Sequence, residues 1–139
     1  FTLGDTNGIN ENTKLFVSYL FSGKQGFSKF GSYTGNASAD GAFVYLGFRP
    51  AFVLIKKANG DEEWYIWDNK REGYNTANDR LQASNTTVEY AEDNVDLLSN
   101  GFKCKANSAR FNGSGGAYIY MAFAEAPFVN SNGVPCTAR

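Results

Sequence analysis

The chain has 139 residues, the length of one ordinary domain, and its 13 basic and 14 acidic residues leave a net charge of −1. This balance excludes the long-range attraction to phosphate on which nucleic-acid binders and anionic-membrane binders depend. Histidine is absent, which excludes Ser-His and Cys-His nucleophiles, histidine metal sites and histidine pH switches. With 42% hydrophobic and 16% aromatic residues, the composition is typical of a folded domain.

Short apolar segments separated by turn residues follow one another along the chain. Asn-Gly pairs begin at residues 7, 59, 100, 112 and 132, and such pairs favour tight hairpin turns because both central residues need a positive φ. The strongest prediction is a hairpin of residues 51–57 and 62–67 around a turn at residues 58–61. Further strands are predicted at residues 15–21, 42–47, 86–90, 95–98, 102–105 and 117–125.

The segment 69–85 is polar and lacks a sustained helical period. It is predicted to form a loop with at most one helical turn, over residues 76–81. Because many short strands occur without an amphipathic helix, the sequence predicts an all-β fold with no substantial helix. We expect an antiparallel β-sandwich of the jelly-roll or lectin-like type.

Alternation within two of these strands predicts which residues face the core. In 117–125 the odd-numbered and the even-numbered residues are both apolar, which indicates a central strand between two layers. In 62–67 the residues Tyr65 and Trp67 share one face, and Trp64 lies on the other. Cys104 is predicted to be a small core residue with a free thiol, although a bridge to Cys136 stays open.

An internal similarity suggests a boundary near the start of the chain. Residues 1–23 resemble residues 102–125, with Phe16 aligned with Tyr118. Two explanations stay open: residues 1–25 close a preceding repeat, or they form the first strands of the same sandwich. The chain begins with Phe and without Met, which predicts a fragment of a longer protein, and no leader or membrane-spanning stretch is found. The predicted division is 1–25, a β-sandwich unit at 26–127 and a tail at 128–139.

Four longer segments carry a family resemblance. They are GSYTGN at 31–36, DGAFVYLGFRPAFVLIKK at 40–57, VDLLSNGFK at 95–103 and NGSGGAYIYMAFAEAPFVNSNGVP at 112–135. Through these segments the chain resembles, over about residues 26–139, a domain repeated in tail-fibre and other virion structural proteins of tailed bacteriophages, often of marine bacteria.

This resemblance implies a virion component exposed to the extracellular medium that attaches to a host-surface glycan or receptor. It also implies a homo-oligomer, such as a trimer, and it supplies no catalytic motif. Neither the resemblance nor the residues suggest a cofactor. An oxygen-rich segment of Asp5, Asn7, Asn10 and Asn12 lacks the glycine and closing glutamate of an EF-hand, so no metal site is predicted and calcium binding stays open.

Two places are candidates for ligand binding. An exposed tryptophan could stack on a sugar ring, although at least one of the two tryptophans is expected in the core. Loops on a rigid sandwich often carry recognition, although the loop at 69–85 could also simply pack over the sandwich. The candidate residues are Trp64, Arg71, Tyr74, Asn75, Asn78 and Arg80.

Acidic residues cluster at 61–63 and again between 89 and 96. Two carboxylates at a suitable separation across a cleft could cleave a glycan. Adjacent acidic residues in turns are more typical of a solvated surface, so the sequence favours a non-enzymatic module. The expectations in order are a host-attachment module, a purely structural or oligomerising fibre module, and a glycan-cleaving depolymerase.

Overall fold

The structure, a computed structural model, describes residues 2–4, 7–71, 75 and 77–126, without the side chains of residues 7, 78 and 92–94. This part of the chain contains eight strands and one four-residue helix, and no helix in it is long and apolar enough to cross a membrane. The elements are α1 (Asn7–Asn10), β1 (Ser28–Thr34), β2 (Phe43–Tyr45), β3 (Pro50–Lys57), β4 (Trp64–Asp68), β5 (Ala77–Gln82), β6 (Tyr90–Leu98), β7 (Gly101–Cys104) and β8 (Ala117–Ala124).

The predicted all-β sandwich is confirmed, with two antiparallel sheets packed face to face. Neighbouring strands follow the order β1-β8-β3-β4-β5-β6-β7-β2. β5 pairs with β4 through Leu81 and Gln82 and with β6 through Ala77, Asp79 and Arg80. One strand therefore joins the first sheet (β1, β8, β3, β4) to the second sheet (β6, β7, β2), and β1 and β2 are the two free edges.

Aromatic side chains fill the space between the sheets. Phe102 of β7 has its ring centroid 5.9 Å from that of Tyr33 on β1 and 5.7 Å from that of Tyr120 on β8. Trp67 of β4 is completely buried and meets Phe111 edge to face at 5.3 Å. These contacts hold together strands that are distant in sequence. The burial of Trp67 confirms that one tryptophan belongs to the core.

The predicted hairpin is confirmed as β3 and β4, with Ile55 opposite Tyr65 and Val53 opposite Trp67. All four of these side chains are buried, and Trp64 on the opposite face of β4 is exposed. In β8 the even-numbered residues are buried and the odd-numbered residues lie on the outer face, a difference that the sequence does not predict because both sets are apolar. Local hydrophobic periodicity is therefore sufficient to assign the hairpin and its faces.

The prediction of a loop at 69–85 with a helical turn at 76–81 is wrong for residues 77–82, because these residues form β5. Arg80 in this polar strand is almost fully buried. Its guanidinium carbon lies 4.9 Å from the ring centroid of Tyr65 and 4.8 Å from that of Tyr90. The aromatic rings thus provide a favourable environment for a cation inside the sandwich, which a count of apolar residues does not detect.

The predicted strand at residues 86–90 is also wrong, apart from Tyr90 at the start of β6. Asn85 accepts a hydrogen bond from the backbone N–H of Thr87 at 2.9 Å. This side-chain turn satisfies the backbone locally, and local bonding of this kind competes with strand pairing.

The predicted strand at residues 15–21 is wrong as well, since these residues lie outside every strand. The likeness of this segment to β8 is a likeness of sequence pattern only. β8 itself lies between β1 and β3 and pairs with both of them. A strand also requires a neighbour for its backbone groups, and residues 15–21 have none within the described part of the chain.

β1 is a strand that the sequence pattern does not reveal, because Lys29, Gly31 and Ser32 interrupt its apolar residues. It forms through seven consecutive residue pairs with β8, from Ser28 opposite Phe123 to Thr34 opposite Ala117. The pairing partner is distant in sequence, and it overrides the weak local preference.

Candidate functional site

The outer face of the first sheet carries an apolar groove. Phe30, Met121, Leu54 and Ile66 lie opposite one another on four adjacent strands, so they form a row across the sheet. Beside this row lies Trp64, whose side chain is 38% exposed. The apolar groove has a volume of about 270 Å³ and is lined by Phe30, Gly31, Leu54, Trp64, Ile119, Tyr120 and Met121.

The apolar groove corrects one expectation about β8. The strand is central, as predicted, but it does not lie between two layers within the described part of the chain. Its inner residues are buried, whereas Ile119 on its outer face is exposed. No charged side chain lines the groove, so the surface is suited to an apolar partner and offers few hydrogen bonds to a sugar.

A second depression, the edge cleft, lies where the start of β1 meets the end of β2, at the open side of the sandwich. Its volume is about 470 Å³, which falls in the range of small-molecule sites. The lining is of mixed chemistry and consists of Gly23, Lys24, Gln25, Gly26, Ser28, Lys29, Tyr45, Leu46, Gly47 and Phe48.

Two backbone turns shape the edge cleft. Lys24 and Ser28 exchange backbone hydrogen bonds of 2.9 Å in each direction, and Gly26 between them has a φ of 70°. On the other side, Gly47 has a φ of 83° and donates its N–H to the carbonyl of Asn100 at 3.1 Å. Positive φ values are accessible to glycine at little cost, so both walls have a defined backbone conformation.

The polar groups of the edge cleft are cationic and aromatic. The Lys29 ammonium donates a hydrogen bond of 2.7 Å to the Tyr45 carbonyl and lies 5.1 Å from the centroid of the Tyr45 ring. The Tyr45 side chain is 59% exposed. No carboxylate lines the cleft, and neither Lys24 nor Lys29 forms an ion pair with any described residue. The cleft therefore offers two positive charges, without a carboxylate partner among the described residues, beside an accessible ring.

The residues predicted from the sequence do not form one site. Trp64 lines the apolar groove. Arg71 lies near the far end of β4, where its guanidinium contacts Asp68 and Glu89 at 2.8 Å each. Burial opposes ionisation of Asp68, but hydrogen bonds from the backbone and side chain of Arg71 and from the backbone of Lys70 outweigh it and lower the pKa of Asp68. Arg71 thus connects the end of β4 to the segment before β6.

Asn75 joins the loop to the second sheet. Its amide nitrogen donates to the Leu97 carbonyl at 3.0 Å, and its amide oxygen accepts from the Leu97 N–H at 2.9 Å. These two bonds reproduce the pairing of a strand residue. Arg80 is enclosed by tyrosine rings, as described above. Tyr74 and the side chain of Asn78 lie outside the described residues.

The acidic residues of the two sequence clusters contact different partners. The Glu62 carboxylate accepts from the Tyr65 hydroxyl at 3.4 Å, and Glu63 accepts from the Ser84 hydroxyl. Glu89 pairs with Arg71 as noted, and the Asp96 carboxylate lies 3.9 Å from the Lys105 ammonium. Within the part of the chain that the structure describes, no group of acidic or cysteine residues has a metal-binding arrangement.

Cys104 is a free, buried thiol, as predicted, and Cys136 lies outside the described residues. The thiol lies 3.7 Å from the Tyr33 hydroxyl, and that hydroxyl donates to the Phe111 carbonyl at 2.5 Å. Burial raises the pKa of Cys104 to about 12 and also raises the pKa of Tyr33. Both groups therefore stay protonated in the folded chain at neutral pH.

The residues of the edge cleft are absent from the sequence prediction. Lys24 belongs to a polar turn, Lys29 to a strand that the sequence pattern does not reveal, and Tyr45 to a short predicted strand. The combination of glycine, lysine and glutamine at residues 23–26 is a weak signal for a ligand-binding turn. Only the pairing of strands shows that this turn lies beside Tyr45.

The described residues define a β-sandwich domain with a cationic cleft at its open edge and an apolar groove on its outer face. The chain belongs to a family described as a domain of unknown function (DUF7483), whose sequence model matches residues 1–127. No curated protein and no solved structure matches the chain. The division of the chain near residue 25 stays a prediction.

Proposed function

We propose that the chain is a non-enzymatic module of a phage virion, a tail-fibre domain that contributes to host attachment by binding an acidic surface glycan in the edge cleft. The observation that carries this proposal is the pair Lys24 and Lys29 beside the exposed Tyr45 ring, with no carboxylate in the lining. The virion context rests on the resemblance of the sequence segments.

The chemistry of the edge cleft favours an anionic sugar over other ligands. The Tyr45 ring can stack on the apolar face of a pyranose. Each lysine ammonium has three donors, and Lys29 uses one of them on the Tyr45 carbonyl. The remaining donors suit a sugar carboxylate or sulfate and its neighbouring hydroxyl groups. A nucleic acid would require a larger basic surface than a chain of net charge −1 provides.

A titration of the chain with trigalacturonate tests the ligand, with maltotriose as the neutral probe. We expect trigalacturonate alone to bind, and Tyr45→Ala to weaken that binding about tenfold. Lys24→Gln and Lys29→Gln should each weaken binding about fivefold through the lost ionic contact. Lys24 and Tyr45 are exposed, so their substitution should leave the unfolding midpoint unchanged.

Lys57→Gln is the matched control. Lys57 lies opposite Tyr118, whereas Ser28 in the cleft lies opposite Phe123 on the same strand. The two positions are therefore about 16 Å apart along β8. Equal binding of both sugars, or equal weakening by Lys57→Gln, would exclude the edge cleft as an acidic-glycan site.

Attachment is tested on cells of the phage host. The free chain should compete with virions for adsorption, and the Tyr45→Ala chain should compete less well. If the free chain leaves adsorption unchanged, the role in attachment is rejected, even where trigalacturonate binds. Release of reducing ends from host polysaccharide would instead identify a depolymerase.

The alternative proposal is a structural or oligomerising module of the fibre. It is favoured by the exposed apolar segment at residues 15–21, which is typical of a surface that another protein covers. Removal of the domain from the fibre should then leave adsorption intact but shorten or destabilise the fibre.

A further inference from the structure

The residues Leu15–Phe21, here called the arm, expose an unusual amount of apolar surface. Leu15 is 100% exposed and Val17 is 81% exposed, and Phe16, Tyr19, Leu20 and Phe21 are exposed as well. No backbone group of the arm makes a hydrogen bond to the described part of the chain. Soluble monomers rarely present a contiguous apolar surface of this kind to water.

The C-terminal end of the arm lies beside the apolar groove. The ring of Phe21 lies 6.0 Å from that of Phe30 and 5.9 Å from that of Phe123, both on the outer face of the first sheet. Phe30 also lines the apolar groove. The contact of the arm with the outer face is therefore continuous with the groove, but the residues before Phe21 do not continue it, since they are exposed.

We propose that two copies of this chain associate through their outer faces, with the arm of each copy lying in the apolar groove of the other. The arm and the lining of the apolar groove carry no formal charge, so contact between them avoids the cost of burying charges. Lys56 lies on the same outer face, opposite Trp64 and Ile119, and its ammonium donates to the carbonyls of Lys57 and Gly60. The same chain carries both complementary surfaces, which permits a closed two-fold pair. This inference goes beyond the proposed function and does not depend on it.

The pattern of the arm explains why two outer faces are required. Successive residues of an extended segment point to opposite sides, and the arm is apolar on both sides apart from Ser18. A single outer face would cover only one side. Two facing sheets cover both sides of the arm.

The area is sufficient for a stable pair. Each arm has six large apolar side chains, and each of these can bury on the order of 100 Å². Two arms and the grooves that receive them therefore reach the interface size of roughly 1,200–2,000 Å² at which specific protein pairs are stable.

Sedimentation equilibrium of the full chain over a range of micromolar concentrations tests the proposal. We expect a reversible dimer whose dissociation constant rises at least tenfold in Val17→Asp. Val88→Asp is the matched control, because Val88 is 76% exposed and lies outside both the arm and the groove. A monomer at every concentration, a trimer, or equal effects of the two substitutions would overturn the two-fold exchange.

A charge pair across the interface gives a second test. Ile119→Lys changes an exposed residue of the apolar groove and should also weaken the homodimer at least tenfold. A mixture of Val17→Asp and Ile119→Lys chains should form a heterodimer tighter than either homodimer. If the mixed chains form no tighter heterodimer although their unfolding midpoints are unchanged, the arm does not lie in the groove of the other copy. Trigalacturonate binding should be unchanged in Val17→Asp, so failure of this inference is separable from failure of the glycan proposal.

Discussion

The edge cleft and the apolar groove lie on one small domain but differ in their chemistry. The cleft combines Lys24, Lys29 and the Tyr45 ring at the open side of the sandwich. The groove has an apolar lining beside Trp64 on an uncovered sheet face. The first is suited to a charged, hydroxylated ligand and the second to another apolar surface. Exposed aromatic residues on this domain therefore suit different partners, according to the polar groups beside them.

Substitution of the two tryptophans of β4 should give the largest change in stability and should distinguish the two faces of this strand. Trp67→Ala removes a completely buried ring and should lower the free energy of unfolding by about 3–5 kcal/mol. Trp64→Ala on the outer face should lower it by less than about 1 kcal/mol. Urea unfolding followed by circular dichroism, at a protein concentration at which the chain is monomeric, measures both. Equal losses would mean that the outer face is covered in the isolated chain, which contradicts an open groove.

The next effect tests whether the predicted loop or the edge cleft binds the ligand. Asn75→Ala removes two hydrogen bonds to the backbone of Leu97 and should cost about 1–3 kcal/mol of stability. Calorimetric titration of this variant with trigalacturonate should give the affinity of the unmodified chain. If Asn75→Ala binds trigalacturonate more weakly while it stays folded, the ligand site lies in the loop and not in the cleft.

Salt should weaken binding at one of the two surfaces only. A rise from about 50 mM to about 500 mM sodium chloride should weaken trigalacturonate binding about fivefold, because it screens the lysine charges. The association of two outer faces should not weaken, since no formal charge lies in the arm or the groove. Calorimetry and sedimentation on the same sample distinguish the two responses. A parallel weakening of both would show that charged groups outside the groove govern the association.

The pH dependence of stability, which should be small near neutral pH, reports on Cys104 and Tyr33 in the core. Cys104 has a folded-state pKa of about 12 against an ordinary value of 9.0, and burial also raises the pKa of Tyr33. The unfolded chain therefore loses these protons first as the pH rises. Their contribution to stability is fully present below about pH 9 and declines toward about pH 12.

Urea midpoints at pH 7, 9 and 10.5 measure this decline. Cys104→Ala should reduce the slope of the midpoint against pH. A midpoint that stays constant from pH 7 to 10.5 would contradict a protonated thiol in the core.

Elements with a regular local pattern could be predicted from the sequence. The β3–β4 hairpin follows from apolar runs around an Asn-Gly turn, and β8 follows from the apolar run at residues 117–125, whereas the choice of its buried face does not. The all-β class follows from the same pattern repeated along the chain. These features depend on side chains only a few residues apart, so the sequence specifies them directly.

Features that depend on distant pairing could not be predicted. β1 is polar in pattern and exists because it pairs with β8, and β5 buries Arg80 between two tyrosine rings. The arm has the pattern of a strand, but no described backbone group pairs with it. The edge cleft requires residues 23–29 and 45–48 to meet, which follows only from β1 and β2 being the free edges.

The position of β8 also constrains how the chain acquires its structure during synthesis. β8 is the last strand described, yet it lies between β1 and β3 and pairs along the length of both. Ser28 and its partner Phe123 are 123 − 28 = 95 residues apart, and such long-range pairing is slow to form. β1 therefore waits without its neighbour until nearly the whole domain has left the ribosome. Its edge is then the segment that most needs protection from premature aggregation.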